Sequence, residues 1–566
     1  MKISYILYGI LTIIVSTILS IYNVLHIQYN DIFSLIAAAL FIATQAIWFF
    51  IILNHSSIFI RLGFYKDSSP KYETVSERIN YPSVLILIPV YNEPISIIKR
   101  MVEALHKIDY PKNRLHIYLL DDSNLKITDR NGEICKLNGC KIIKRKNRKG
   151  YRAGALNNAI NSLNGNSIDY LVVLDADHKP YPNIVKRLVS AIEKSKYDIV
   201  MFPQFFENMN ENSIAFSASM GQYFDYYFNR KGRSVSNSTF CVGTNWIGKF
   251  GKIASSGGFV ESIVEDLATS MMKFHPRGMR IGIIYEKLAS GLAPDSIRSF
   301  RDQQYRWSKG AFELFPKYLK TFGKLTWSQR FDYLATIVWY LIGITTIFSL
   351  IFPFLNSIGI FFLYYNSLIE YLIIVVGLTL MQYFLYSVPL FIVTKSFRKT
   401  AKAQATGLVV IKIYTKALID TILGINSRYK VTDKINYKSK ILRTIIRTRD
   451  ILLLALLNIL AIIFSLIYNV RGRYIVIGWS IYNLLWIIAG VYSIYKDAWR
   501  NGNKYMFEIE FYGSNENEAT ELLYTYRNGY NVEFIDCSGN RYKCKIIDLT
   551  LRKNTNYNGI MILKEI

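Results

Sequence analysis

Six stretches of the chain, 3–30, 32–60, 333–369, 371–394, 451–470 and 474–495, contain no Asp, Glu, Lys or Arg. A bilayer core of about 30 Å is crossed by roughly 20 helical residues, so these runs predict about six membrane spans. The 333–369 run is too long for one straight helix and contains Pro353, which predicts a broken or re-entrant segment. Between the second and third runs the pattern changes. From about residue 82 to 325, short β-rich runs alternate with helical segments, as in an α/β domain with a mainly parallel sheet. Val84 to Pro89, Leu115 to Leu120 and Tyr170 to Leu174 read as buried strands. Each ends in a polar cluster: Tyr91-Asn92-Glu93, Asp121-Asp122-Ser123 and Asp175-Ala176-Asp177. Ligands of open α/β sheets bind beyond the carboxyl ends of the strands, so these clusters are expected to meet. Alternation at Phe507, Ile509 and Phe511, a hairpin around Ser538-Gly539-Asn540 and a last strand near Ile560 to Ile566 predict a small β domain at the end.

The expected organisation is two transmembrane helices in 1–60, an α/β domain in 61–330, a membrane region of about four spans in 331–497 and a β domain in 498–566. The chain starts Met-Lys and runs apolar without a small-residue cleavage site, which suggests a retained helix instead of a signal peptide. Within 395–450, Lys412, Lys416 and Asp420 recur every four residues on one helical face, as in a helix lying in the membrane interface; a solvent-facing helix packed on the α/β domain is the alternative.

Charge refines this picture. With 68 Lys and Arg against 41 Asp and Glu, the net charge is +27, which suits either nucleic acid or an anionic membrane surface. The distribution favours the membrane: 395–450 holds fourteen basic residues, whereas 25–31 and 364–370 hold none. By the positive-inside rule, both termini and both large polar segments face the cytoplasm, with Arg471 and Arg473 running against the trend. No recognition helix or RNA-binding motif accompanies the charge, so nucleic acid is not an expected partner. The five cysteines match no zinc or disulfide pattern and read as reduced thiols.

Six motifs stand in order along 82–310: Pro89-Val90-Tyr91-Asn92-Glu93-Pro94, Asp121-Asp122, Asp175-Ala176-Asp177-His178, Phe240-Cys241-Val242-Gly243-Thr244, Val264-Glu265-Asp266 and Gln303-Gln304-Tyr305-Arg306-Trp307. In these the chain resembles the membrane-integrated family-2 glycosyltransferases of the cellulose synthase type. The resemblance implies a GT-A-like α/β domain inserted between transmembrane helices, a UDP-sugar donor, a growing glycan acceptor, a Mg2+ or Mn2+ ion and a plasma-membrane location. Oligomeric state and accessory subunits stay open.

The chemistry of the residues fits. Two carboxylates one residue apart at a strand end, Asp175 and Asp177, can hold a divalent cation with diphosphate oxygens; His178 is an optional third ligand. Resemblance places Tyr91 and Glu93 near the base and leaves Asp121 and Asp122 as alternative acceptors for its ring N–H. An inverting transfer needs one carboxylate to take the acceptor hydroxyl proton, and Asp266 is the candidate base. Glu265, Cys241 and Trp307 are expected on the acceptor side, and Gln303 and Arg306 on the diphosphate. Two departures from the family pattern are Val264, where Thr is usual, and Arg152, where Lys is usual; a guanidinium there can fork onto phosphate oxygens. Tyr429-Lys430-Val431-Thr432-Asp433-Lys434 resembles a gating loop in which Lys430, Thr432 and Lys434 would close over the nucleotide. The tail invites comparison with a PilZ domain but offers only Arg500 where that domain's pattern has two arginines, so cyclic dinucleotide binding is not expected. The implied activity is processive synthesis and export of a cellulose-like β-glucan, with single addition to a lipid as the alternative.

Overall fold

The structure, a computed structural model, describes residues 2–27, 29, 31–66, 81–123, 131–136, 139–163, 167–361, 367, 369, 377–425, 441–468, 473–502, 506–512, 531–535, 541–551 and 558–565. The chain divides into two compact units, Met1–Thr432 with Thr448–Val491, and Asp433–Arg447 with Tyr492–Ile566.

Among the described residues, the polar part of the first unit carries ten strands: β1 Val84–Val90, β2 Leu115–Asp121, β3 Lys141–Ile143, β4 Tyr170–Val173, β5 Lys179–Pro180, β6 Ile199–Met201, β7 Phe205–Phe206, β8 Trp246–Lys249, β9 Ile281–Ile283 and β10 Ala289–Gly291. Seven form one sheet in the order β3-β2-β1-β4-β8-β6-β9. Pairing is parallel from β3 to β4 and between β6 and β9, and antiparallel on both sides of β8. β1 is apolar along its length because both faces are covered, the usual reason a parallel strand reads as a continuous hydrophobic run. Val84, Ile86, Ile88 and Val90 join the core under the Ile95–His106 and Ile184–Lys194 helices, while Leu85 and Leu87 face the Tyr151–Leu163 helix, Trp246 and Phe274. β1, β2 and β4 are parallel neighbours, so the ends that carry Tyr91, Asp121 and Asp175 lie side by side, as the strand pattern required. β5, β10 and β7 form a second, three-stranded sheet.

Five helices among the described residues are long and apolar enough to cross a membrane: Ile3–His26, Ile32–Leu62, Trp327–Ser357, Thr444–Ile467 and Arg473–Asp497. The 371–394 run carries a further helix, Gly377–Thr394. Pro353 lies inside the helix Ile342–Ser357 near its end, so the long uncharged run is helical to Ser357. Asp31 starts the second span with a reciprocal Asp31–Ser34 capping box.

A buried polar cluster joins these spans to the α/β domain. Asp332, whose side chain is wholly buried, accepts from Arg61 Nη1 at 2.7 Å and Nη2 at 2.9 Å and from Asn54 at 2.7 Å. Ser238 also donates to it, and Arg233 Nε lies 3.8 Å away. Helix Ile411–Ile422 packs through Ala417 and Leu418 into the cluster of Phe312 and Leu267; its Asp420 is buried, pairs with Lys416 and accepts from Tyr305.

Cys135 and Cys140 are disulfide-bonded, which corrects the expectation of five reduced thiols. The backbone holds the two residues together: Cys140 N–H donates to Cys135 O at 3.1 Å just ahead of β3. The second unit contains a four-stranded antiparallel sheet, β11 Met506–Tyr512, β12 Asn531–Ile535, β13 Arg541–Leu551 and β14 Asn558–Glu565, in the order β11-β14-β13-β12. β12 and β13 form the expected hairpin.

Candidate active site

The site is assembled on the carboxyl ends of β1, β2 and β4 and completed by two helices from the later half of the domain. At the end of β4, the backbone N–H of Asp175 donates to Thr244 Oγ1 at 2.8 Å, which fixes the strand end to the Phe240–Thr244 loop. The Asp175 side chain is 37% exposed, while Asp177 and His178 are buried. Donor atoms of Asp175, Asp177 and His178 lie within 4.8 Å of one another. Asp175 and Asp177, with His178, would hold a divalent cation if one binds here. His178 Nδ1 faces Asp177 Oδ1 at 3.3 Å, and its buried Nε2 has no hydrogen-bond partner among the described residues. Two carboxylates and an imidazole are a fitting donor set for a small divalent cation.

Asp121 is buried and accepts from Ser123 N–H at 2.9 Å and from the Asn131 amide at 2.7 Å. Asp122 instead takes a bidentate contact from Arg145, at 2.7 and 2.5 Å. Tyr91 lies at the end of β1 under the Arg148 guanidinium, 3.1 Å from its ring centroid. Glu93 is half-buried just beyond. Asn92 has a φ of 53°, an αL turn that Asn tolerates and that its N–H secures by donating to Ser123 at 2.8 Å.

On the opposite side, Glu265 and Asp266 open the short helix Glu265–Thr269. Leu267 N–H donates to Asp266 Oδ1 at 2.8 Å. Burial, reinforced by the charge of Glu265, pushes the Asp266 carboxyl up to about 6; the Leu267 hydrogen bond, Arg152 and Arg230 pull the other way. Arg152 spans both sides. Its Nη1 donates to Glu265 at 2.6 Å and its Nη2 to Asp175 at 2.8 Å and to the Gly243 carbonyl. Cys241 is fully buried with its N–H on Ser270 at 3.0 Å, and burial pushes its thiol up to about 12.

The helix Ile297–Glu313 starts with a Ser296–Ser299 capping box and turns Gln303, Arg306 and Trp307 to its half-buried side, while Gln304 is buried and accepts from Tyr414 at 2.7 Å. Trp307 packs against the cluster that includes Val264 and Leu267. Gly310 explains the close approach: a Cβ there would stand 2.6 Å from Val264 Cγ1. Val264 thus serves as an apolar contact for this helix, which accounts for a side chain without a hydroxyl at that position. Lys430, Thr432 and Lys434 lie outside the described residues.

Arg145, Arg148, Thr244 and Arg230 also belong to this region and were not singled out by sequence reasoning. Arg230 is buried and donates to Asp225 at 2.6 Å and to the Phe240 carbonyl at 2.6 Å, on a helical stretch with π geometry, Asp225–Arg230. The basic run Lys144 to Lys149 was the available signal for the first two, and the Phe240–Thr244 motif for the third.

Comparison with known proteins follows the same lines. A seven-stranded mixed sheet with an acidic cluster at its strand ends gives the domain a GT-A-like fold, in a chain that also carries helices long and apolar enough to cross a membrane. Residues 85–255 match the family described as Glycosyl transferase family 2. It is similar to a UDP-forming cellulose synthase catalytic subunit of Pseudomonas fluorescens (strain SBW25), 29% identical over 49% of this chain and 38% of that protein. It is also 27% identical, over 48% of its length, to cellulose synthase 1 of Komagataeibacter xylinus, covering 18% of that protein. The chain thus spans well under half the length of these relatives. In fold it is similar to a mannosyltransferase of Pyrobaculum calidifontis solved with GDP-mannose and Mn2+, with a TM-score of 0.50, 16% identity and coverage of 70% of this chain and all of that one.

Proposed function

We propose that the chain is a processive, inverting glycosyltransferase that polymerises a β-linked, cellulose-like glucan from a UDP-sugar and passes it across the plasma membrane between its helices. The observation that carries the reading is the opposition of two acidic sites across Arg152, Asp175 on one side and the Glu265–Asp266 pair on the other. In this scheme Tyr91, Glu93 and one of Asp121 and Asp122 receive the nucleotide, and Asp175 and Asp177, with His178, hold the cation. That cation supplies charge neutralisation for the departing nucleoside diphosphate. Gln303 and Arg306 donate to the diphosphate, and Trp307, Cys241 and Glu265 line the acceptor side. Asp266 accepts the proton of the attacking hydroxyl as the glycosidic bond forms, a step that its raised affinity for protons suits. The apolar helices support the membrane route. Lys430, Thr432 and Lys434 are assigned to a loop that closes over the nucleotide.

The test is incubation of the purified, lipid-reconstituted protein with radiolabelled nucleotide sugars and Mg2+ or Mn2+, followed by size separation and linkage-specific digestion. High-molecular-weight product from UDP-glucose supports the reading; label confined to the lipid extract replaces it with single addition. Chelation with EDTA is expected to remove turnover and either ion to restore it, with Asp177→Asn raising the metal concentration needed at least tenfold. The base must be ionised to act, so turnover is expected to fall as pH drops through about 6, not through the ordinary carboxylate range near 4. A pH–rate profile at saturating donor, with its acid limb near 4, would remove Asp266 from that role.

A further inference from the structure

A guanidinium beside an expected diphosphate site is ordinarily read as a phosphate ligand, but the surroundings of Arg152 are already filled. Nη1 is on Glu265 and Nη2 on both Asp175 and the Gly243 carbonyl, with the Arg152 side chain 17% exposed. The guanidinium lies close against this loop, since a Cβ at Gly243 would stand 2.9 Å from Arg152 Nη1. Ahead of Arg152, Gly150 has φ of 71° and Tyr151 of 47°, an unusual left-handed pair that ends the basic loop abruptly and starts the Tyr151–Leu163 helix. The positive φ at Gly150 is what calls for glycine there, the nearest neighbour being the end of the exposed Glu261 side chain. The stem that presents Arg152 is therefore set by its backbone conformation.

We infer that Arg152 is a positioning residue: it holds the cation-side carboxylate Asp175 and the acceptor-side carboxylate Glu265 in one frame, and does not bind the donor's diphosphate. The inference deepens the proposed sugar transfer and rests on that reading. One Asp175 oxygen faces Arg152, which leaves the partly exposed carboxylate with its other oxygen for a cation. Glu265 is fixed directly, and Asp266 is fixed through it as the next residue of the same helical turn. Swinging the guanidinium onto a phosphate would strip the buried Glu265 carboxylate of its counter-charge at the moment the site needs it ordered. A planar fork serves two separate acceptors at once, whereas an ammonium on a flexible stem holds one of them well, which gives arginine a reason to stand at this position.

The experiment separates binding from turnover. UDP affinity in the presence of Mn2+ is measured by calorimetry, and kcat and donor KM in the transfer assay, for the full chain, Arg152→Met and Arg152→Lys. The expected result for Arg152→Met is a UDP Kd and donor KM within about threefold of the parent and a kcat lower by about a hundredfold, the scale of a small misplacement of reacting groups. Arg152→Lys is expected to recover about tenfold of that loss, and adding Glu265→Gln to Arg152→Met to cost little more than the worse single change. A UDP Kd raised tenfold or more with kcat retained at saturating donor would overturn the inference and make Arg152 a diphosphate ligand. If Arg152→Met does not fold, Arg152→Lys decides by the same split between Kd and kcat. Should the parent protein bind UDP but transfer nothing, the proposed function fails by itself, while unchanged UDP affinity in the variants still excludes the diphosphate role.

Discussion

Asp266→Asn is expected to lower turnover about a thousandfold while leaving UDP affinity within threefold, the range for loss of a general base whose site is otherwise intact. Asparagine keeps the shape of the side chain and can still accept from Leu267 N–H, so the helix start is retained. It cannot take a proton. The same change should not lower thermal stability near neutral pH, and the sign follows from the shift. A carboxyl raised to about 6 in the folded chain favours folding only while protonated and loses that contribution as pH rises through about 6. At pH 7.5 the parent protein carries an ionised Asp266 in a half-buried setting beside Glu265, and the variant is relieved of it. An inactive variant with an unchanged or higher Tm is the expected signature; a drop in both activity and Tm would mean that Asp266 is structural.

Asp332→Ala is expected to have the largest effect on stability. Its carboxylate answers two guanidinium groups, Arg61 on the second span and Arg233 on the α/β domain, in a place without solvent. Removing it leaves both cations buried without a counter-charge, a loss of about 3–5 kcal/mol. That corresponds to a Tm lower by on the order of 10 °C, with loss of the monodisperse peak in detergent. Pairing Asp332→Asn with Arg61→Gln should be less damaging than Asp332→Asn alone, because one stranded cation is removed. Near-parent stability of Asp332→Ala would show that the cluster is not what holds span and domain together.

Much of the architecture could be read from the chain. β1, β2 and β4 announced themselves because strands covered on both faces must be apolar throughout, and each stops at a polar cluster where the sheet ends. The long uncharged runs were equally plain, since a hydrocarbon core tolerates little else. Position alone hid the remainder. Asp332 looks like the residue before an uncharged run, and only its contacts with Arg61 and Ser238 disclose a buried centre. Arg152 could be read as a free fork because its partners, Asp175 and Glu265, stand 23 and 113 residues away. The pairing of Cys135 with Cys140 is not legible because two cysteines five residues apart match no disulfide framework. β8 offers four residues, too few for any period to stand out.

That short strand governs when the sheet can be completed. Val173 of β4 pairs with Trp246, and β6 and β9 reach β4 and the strands beyond it only through β8. During synthesis the chain through residue 201 would possess β1 to β4 and β6 with no central strand to join them, leaving β4 as an open edge. Such an edge invites pairing with other chains, and non-local closures of this kind are slow. Truncations that end before Lys249 should therefore aggregate, and the two acidic halves of the site come together only late in the folding of the domain.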